Sequence, residues 1–347
     1  MLPESILITN HLESSLKSLF TEKNFSKSGI LVDENTYNYC YPLVKPFLTE
    51  HEICVIKSGE ENKTIETCSI IWKFLTEKQF DRKSLLINLG GGVIGDMGGF
   101  CAATYKRGIE FINIPTTLLS QVDASIGGKL GIDFEGLKNH IGVFKDPKYV
   151  IIFPGFLKTL DARQIRSGYA EIIKHSLIAD AGIWKSVISK NIEDADWSDF
   201  VAQSIQIKYK VVQEDPLEKG LRKILNFGHT IGHAIESHFL ESSFPLLHGE
   251  AIAIGMICES YLSHQETGLS EAQFVEIEGL LLKIYGAILI PDQAVSKIAE
   301  ATLQDKKNEN SKIQCTLLSS IGKAVYDKAI TPEKVIEALM YYKKRVE

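Results

Sequence analysis

The stretch LNFGHTIGHAIE, residues 225–236, carries two histidines four positions apart, His229 and His233. Imidazoles at i and i+4 lie on one face of a helix and can share a zinc ion. A third histidine, His248, follows in HGEA at 248–251. A catalytic zinc wants three protein ligands and an open position. Thr230 stands where a zinc protease carries its general base, so the pattern is not HExxH, and a carboxylate ligand has to come from elsewhere. Glu171 in GYAEIIKH, 168–175, is a candidate; its plainer reading is an exposed i, i+3 ion pair with Lys174. The plainer reading of the histidines is a solvated helix face. Extended back to Arg222, the stretch places Arg222, Asn226, His229 and His233 at i, i+4, i+7 and i+11. That spacing predicts a polar stripe along one helix, with Gly228 inside it at a cost of about 1 kcal/mol relative to alanine.

A second chemistry is suggested by LINLGGGVIGD, 86–96, where a strand pattern runs straight into Gly90, Gly91, Gly92 and Gly95. Such glycines let the backbone approach a pyrophosphate, and the next helix offers free N–H groups and the positive end of its dipole. A glycine turn that merely packs a helix on a sheet reads the same way, and no acidic residue stands clearly at a strand end about twenty positions on. Two further polar stretches follow strand patterns. KSGEENK, 57–63, has Gly59, Glu60 and Lys63 suited to a ribose; NIPTTLLSQVDASIGGK, 113–129, has Thr116, Thr117, Asp123 and a Gly-Gly-Lys suited to oxyanions. Three polar loops at the carboxyl ends of strands in one sheet are where α/β proteins bind ligands, so nucleotide binding is the expectation.

These residues need a scaffold. GILVD (29–33), EICVIK (52–57), SLLINLG (84–90), EFINIP (110–115) and KYVIIF (148–153) are short runs rich in β-branched residues. Amphipathic stretches such as NKTIETCSIIWKFLTE (62–77) separate several of them, which predicts a largely parallel α/β sheet. After Pro154 nearly every segment has helical period, and only KIQCTLLSSIG (312–322) reads as a strand. The domain boundary is therefore placed near 155, giving 1–155 and 156–347. At 347 residues and 44% apolar the chain can bury two cores, and a net charge of −6 argues against nucleic acid or an anionic membrane as the main partner. Six scattered cysteines with no CxxC pair read as free thiols of a reducing cytoplasm. No signal-peptide pattern opens the chain, and no apolar run approaches the roughly 18 residues of a membrane span.

Taken together, several stretches resemble 3-dehydroquinate synthases, of the sugar-phosphate cyclase superfamily. They are GGGVIGDMGGFCAATYKRG (90–108), IPTTLLSQVDASIGGKLGID (114–133), GLKNHIGVF (136–144), YAEIIKH (169–175), GLRKILNFGHTIGHAIE (220–236), LLHGEAIAIGM (246–256) and the DKK at 305–307. The motifs stand in family order over nearly the whole chain. The resemblance implies an α/β N-terminal Rossmann-like domain that binds NAD, plus a mainly α-helical C-terminal domain that binds metal and substrate. It implies zinc or cobalt on Glu171, His229 and His248, with His233 handling protons near the substrate instead of binding metal. NAD contacts fall on Asp33, Glu60, Lys63, Gly91, Gly92, Val93, Asp96, Thr116, Thr117, Lys138, Phe156, Leu157, Lys158 and Thr159. Substrate contacts fall on Arg107, Asp123, Lys129, Asn139, Lys208, Arg222, Asn226 and one of Lys306 and Lys307; Glu218 and Lys129 join His233 as catalytic candidates. A homodimer is implied as well.

The implied reaction converts 3-deoxy-D-arabino-heptulosonate 7-phosphate to 3-dehydroquinate and phosphate. Transient oxidation by NAD, β-elimination of phosphate, re-reduction and an intramolecular aldol closure would follow in turn. A substrate with a carboxylate and a phosphate explains why an acidic chain gathers cations in these motifs. The competing readings are an inosose or valiolone synthase, whose substrates lack the carboxylate, a metal-dependent polyol dehydrogenase, and a non-catalytic NAD-sensing protein. Three positions depart from common family sequences: Leu130 where threonine is frequent, Asp133 where asparagine is, and Pro216 where an acidic residue is usual. Proline restricts Asp215 and so bears on the placement of Glu218.

Overall fold

The computed structural model describes residues 2–21, 25–135, 137–190, 192, 197–240, 242–303 and 313–347. The chain falls into two compact units, Met1–Asp161 with Trp197–Tyr209, and Ala162–Asp196 with Lys210–Glu347.

In the first unit the chain runs β1 (Ile6–Ile8), α1 (Leu12–Thr21), β2 (Ser28–Asp33), α2 (Glu34–Tyr39), α3 (Tyr41–Val44), β3 (Glu52–Ile56) and α4 (Ile65–Glu77). It continues through β4 (Leu85–Gly90), α5 (Gly92–Thr104), β5 (Glu110–Pro115), β6 (Lys129–Phe134), β7 (Leu137–Phe144) and β8 (Tyr149–Ile152). Six strands form one sheet in the order β1-β8-β5-β4-β2-β3, and every neighbouring pair is parallel. Each of the five expected strands is present. Parallel strands covered on both faces read as unbroken apolar runs, which is why they are legible. Alternation sorts their side chains: Leu31 and Leu86 enter one core with α4 and α5, while Ile30, Val32, Leu85, Ile87 and Leu89 enter the other with α1. Three-residue β1 is too short to show a period. Strands β6 and β7 form a separate antiparallel hairpin, in a region whose polar residues suggest loop.

The chain leaves β2 toward β3 and leaves β4 toward β5 on the opposite side, so the sheet reverses order between β2 and β4. Asp33 ends β2, and Gly90 ends β4, at that reversal, where open α/β sheets bind ligands. Helix α5 is clamped between the sheet and the β6–β7 hairpin: a Cβ on Gly98 would come 2.1 Å from Asn88 Oδ1 of β4, and one on Gly99 2.5 Å from Leu130 Cδ2 of β6. Gly98→Ala is therefore expected to destabilise the protein by about 1–3 kcal/mol through overpacking, measured as a lowered urea midpoint.

The second unit contains α6 (Ala162–Ala179), α7 (Ala181–Ser189), the end of α8 (Trp197–Glu214), α9 (His229–Phe239), α10 (His248–Glu266), α11 (Glu271–Tyr285) and α12 (Asp292–Thr302). It closes with β9 (Ile313–Ser320), β10 (Lys323–Ile330) and α13 (Pro332–Val346). The mainly helical texture holds, with two corrections. A second strand, β10, pairs antiparallel with β9 across Gly322, whose φ is +84°. Largely exposed and interrupted by register shifts, it lacks a hydrophobic period. The single helix expected through 222–236 is broken: Leu221–Asn226 is a 3-10 segment, Gly228 sits at φ +79°, and α9 starts at His229. Gly228 is thus a left-handed entry to a helix, a conformation that favours glycine, and not a glycine inside one. Arg222 and Asn226 lie off the helix that carries the histidines. No helix among the described residues is long and apolar enough to cross a membrane.

Candidate active site

In the second unit Glu171, His229 and His248 each offer a ligand atom, all within 4.8 Å of one another. Glu171 lies mid-way along α6 at 0% exposure and pairs with buried Lys174 one turn on, so the ion pair is not a surface one. His248 is the first residue of α10, and the glycine after it lets that helix end dock on α6. A Cβ on Gly249 would come 2.0 Å from the Ser167 carbonyl, and the Gly249 N–H donates to Ser167 Oγ at 3.0 Å. Ser167 is four residues before Glu171, so this contact brings His248 to the carboxylate.

Both imidazoles are oriented through Nδ1. His229 Nδ1 faces the Phe227 carbonyl at 3.0 Å and His248 Nδ1 faces Glu236 Oε2 at 3.1 Å. Their Nε2 atoms then point at Glu171 Oε1, at 3.5 and 3.6 Å. Ligand atoms of a tetrahedral zinc with bonds near 2.0–2.1 Å stand about 3.3 Å apart. A ring nitrogen held by a carbonyl or carboxylate while the other faces a common point is the arrangement of metal-bound histidine. Charge agrees. Two buried carboxylates face the imidazoles: Glu171, paired with Lys174, and Glu236, against His248. Burial, with Lys174 beside it, pushes His229 well below the usual imidazole value, which keeps it neutral. Burial works the same way on His248, but Glu236 and Glu171 outweigh it and raise that imidazole to about 10. The carboxylates thus draw positive charge onto His248; a divalent cation meets the same demand with both imidazoles neutral, so the residues fit a metal. The exposed His233 ring lies 5.0 Å from His229 and 5.8 Å from His248.

Sequence reasoning missed Glu236. Its signal was its spacing, seven after His229 and so two turns along the same face.

The turn before α9 is organised by Asp215, which the sequence marked only as the residue that Pro216 restricts. Its carboxylate accepts from the N–H groups of Lys219 at 2.9 Å, Gly220 at 2.7 Å and Arg222 at 3.0 Å. Burial opposes ionisation there, but the three donors outweigh it and hold the carboxyl below its ordinary value. Arg222 is buried and donates through Nη1 to the Pro216 carbonyl at 2.6 Å; Asn226 Nδ2 donates to Glu218 Oε1 at 2.8 Å. The unusual Pro216 therefore serves through its carbonyl, which any residue supplies. Because the pKa is depressed, the turn's ordering is present above the ordinary aspartate value, about 3.9, and is lost as pH falls through the lower folded-state value. Asp215→Asn is expected to raise KM several-fold while shifting the urea midpoint only slightly.

In the first unit the three polar loops do follow the carboxyl ends of β3, β4 and β5. The Thr116 N–H donates to the Gly90 carbonyl at 3.0 Å. A Cβ on Gly91 would meet Thr117 Cγ2 at 3.1 Å, whereas one on Gly92 or Gly95 would meet nothing nearer than 3.5 Å. Gly91 caps α5 with no side-chain bond. Backbone N–H groups at an open helix end beside a cavity lined by Gly90, Gly92, Gly95, Asn113 and Ser120 fit a pyrophosphate. Buried Lys63 ties the rest together, donating to Asp96 Oδ2 at 2.7 Å and Asn139 Oδ1 at 2.6 Å, with Glu60 at 4.0 Å. Lys138 reaches Glu60 at 3.8 Å, and Asp133, the second departure, accepts from the Asn139 N–H at 2.7 Å. Lys208 pairs with Asp123 at 2.6 Å. Asp33 spends Oδ1 on the Thr36 N–H, and the Phe156 and Leu157 side chains are buried in the core, while Lys158 and Thr159 are exposed. Leu130, the remaining departure, is core too.

Not everything converges. Arg107 lies past the far end of α5, about 20 Å of helix away from the Gly91–Gly92 turn. Lys129 opens β6 and is exposed. Lys306 and Lys307 lie outside the described residues. Arg107, Asn139 and Glu218 all have positive φ, at 69°, 49° and 58°, as do Gln79, Lys106, Glu135 and Asp327, so the strained backbone does not by itself single out the site.

A parallel sheet with an open glycine turn, and a helical unit with a buried carboxylate and two imidazoles set for a metal, mark the class of nucleotide- and metal-dependent enzymes. A 2-epi-5-epi-valiolone synthase from Streptomyces hygroscopicus, solved with NAD+ and Zn2+ bound, aligns over 99% of this chain and 98% of its own with TM-score 0.86 and 27% identity. A glycerol dehydrogenase from Schizosaccharomyces pombe shares the fold, with TM-score 0.65 and 15% identity over 99% and 89% of the two chains. Residues 53–167 match the profile of the 3-dehydroquinate synthase N-terminal region, and residues 168–308 that of its C-terminal region. The 3-dehydroquinate synthase of Parabacteroides distasonis is 42% identical over 99% of both chains, and that of Ruminiclostridium cellulolyticum 38% over 96% and 95%. The chain belongs to the 3-dehydroquinate synthase family.

Proposed function

We infer that this enzyme converts 3-deoxy-D-arabino-heptulosonate 7-phosphate to 3-dehydroquinate and phosphate, as a carbon–oxygen lyase using NAD and zinc or cobalt. The reading is carried by the Glu171–His229–His248 cluster in a chain similar end to end to 3-dehydroquinate synthases. When bound, NAD takes up and returns a hydride, and the metal lowers the pKa of the hydroxyl to be oxidised.

Residues 1–155 hold the nucleotide. Amides of Gly91, Gly92 and Val93 face its phosphates, with Asp33, Glu60, Lys63, Asp96, Thr116, Thr117, Lys138 and the 156–159 stretch around the remainder. Residues 156–347 hold the metal on Glu171, His229 and His248. Lys208 and Arg222 anchor the substrate carboxylate, each already fixed by an oxygen partner. Asp123, Asn139 and Asn226 orient its hydroxyls. Lys129, Arg107 and the Lys306–Lys307 pair serve the phosphate. His233 and Glu218 move protons, as an exposed imidazole and an amide-held carboxylate can. The enzyme acts as a homodimer in the cytoplasm; its six free, buried cysteines fit a reducing compartment.

An inosose or valiolone synthase would not need the two carboxylate anchors, and a polyol dehydrogenase would accumulate NADH. The decisive experiment incubates the protein with the heptulosonate phosphate, NAD+ and Zn2+. Equal amounts of phosphate and ring product with no net NADH are expected. Stoichiometric NADH without phosphate would overturn the assignment.

A further inference from the structure

We propose that Glu259 is a positioning residue for the metal ligand His229. The inference rests on the reading of His229 as a ligand and goes beyond it to a residue outside the site.

Helix α9 begins at His229, so the N–H groups of its first turn have no partner within the helix. A capping side chain usually satisfies them from the residue before the helix, by accepting from the third helical residue. Here that residue is Gly228, which has no side chain and cannot acquire one. Its φ is +79°, and a Cβ would come 2.5 Å from Met256 Cγ and 3.2 Å from the Ile252 carbonyl of α10. The crossing of α9 and α10 is made of such close approaches. A Cβ on Gly255 would lie 2.0 Å from the Gly228 carbonyl, and one on Gly232 3.1 Å from Ile252 Cα. Backbone meets backbone, and no room remains for a local cap.

Glu259, one turn past Gly255 on α10, supplies the cap from across the crossing. It is 0% exposed. Its Oε1 accepts from the N–H of Ile231, the third residue of α9, at 3.1 Å. Its Oε2 accepts from the N–H of Gly228, the capping position itself, at 2.6 Å. These are the two bonds of a capping box, both made by one carboxylate that is 28 and 31 residues away in sequence. Two donors and the positive end of the α9 dipole offset the cost of burying its charge. The residue held is His229, first of the capped turn, whose Nε2 must stay on Glu171. Glu259 lies eleven residues along α10, the helix that begins with His248, so it ties the start of α9 to the body of α10.

The test uses the full-length, metal-stripped protein and Co2+ as the probe, followed by its visible absorption well below each variant's unfolding temperature. Glu259→Gln keeps size and one acceptor but turns an amide donor toward an N–H. It is expected to weaken Co2+ binding about 10–100-fold and to shift the visible bands, with helical content retained. A merely structural residue would lower the unfolding midpoint and leave Co2+ affinity and spectrum as in the wild type; that result would overturn the proposal. Glu259→Ala risks misfolding, so the isosteric variant carries the decision. His229→Ala separates the two readings. Tight Co2+ binding by the wild type, lost in His229→Ala yet unchanged in Glu259→Gln, sinks the positioning role alone. A wild type that takes up no Co2+ sinks the ligand assignment, and the positioning role with it.

Discussion

Replacing His248 with alanine is expected to abolish metal-dependent turnover while leaving the fold largely intact. The imidazole stands at the first residue of α10 with 24% of its side chain exposed, so truncation opens no sealed core. The contact that seats the helix, Gly249 on Ser167, is backbone to side chain and survives. What disappears is one of the three proposed ligands. Lewis-acid stabilisation amounts to several kcal/mol, so kcat/KM should fall by about 10³-fold or more, with metal content per chain falling alongside. Circular dichroism and the thermal midpoint should stay near the wild type. Full activity in a variant shown to hold no metal would rule out the role. Glu236→Gln makes a graded companion: the imidazole remains, its orienting carboxylate does not, and metal affinity should drop about 10–100-fold.

The second large effect concerns stability. Lys63→Met should destabilise the protein by about 1–3 kcal/mol, because it leaves the half-buried Asp96 carboxylate without its ammonium partner. Lys63 is 3% exposed and its ammonium is the donor that Asp96 and Asn139 share. Burial alone would lower its pKa; Asp96 and Glu60 outweigh that and raise it. The sign follows from the raised value. The contribution is fully present below the ordinary lysine pKa and is lost only as pH rises through the higher folded-state one. Between pH 6 and 9, chosen to lie below that range, the deficit of Lys63→Met should be flat. Adding Asp96→Leu should recover much of it, since an apolar pair leaves no charge stranded. A single variant as stable as the wild type in urea would show that the pair is already well solvated. NAD affinity, read by fluorescence, should fall in the single variant too, because Lys63 is itself one of the proposed nucleotide contacts.

Much of the fold was legible because its strands are buried on both faces. GILVD, SLLINLG and EFINIP could hardly be anything else once glycine and proline bounded them. The β10 strand was not legible, since an exposed edge with Lys323, Asp327 and Lys328 carries no apolar period. The broken helix at Gly228 was misread for a related reason. Spacing alone treats every position as helical, and nothing local announces that Met256 and Ile252 will crowd that glycine into the left-handed region.

The amino-acid sequence alone determined the glycine turn, five strands of the parallel sheet, the mainly helical second half and the family, because each depends on patterns among residues close together in the chain. Only the tertiary structure decided that Glu171 is buried instead of paired at the surface, that Glu236 orients His248, that Asp215 folds the Arg222 turn, and that Glu259 caps α9. Several of these depend on helices meeting at distances set by glycines, between residues tens of positions apart, and short-range patterns carry no trace of which distant side chain will fill a gap that packing creates.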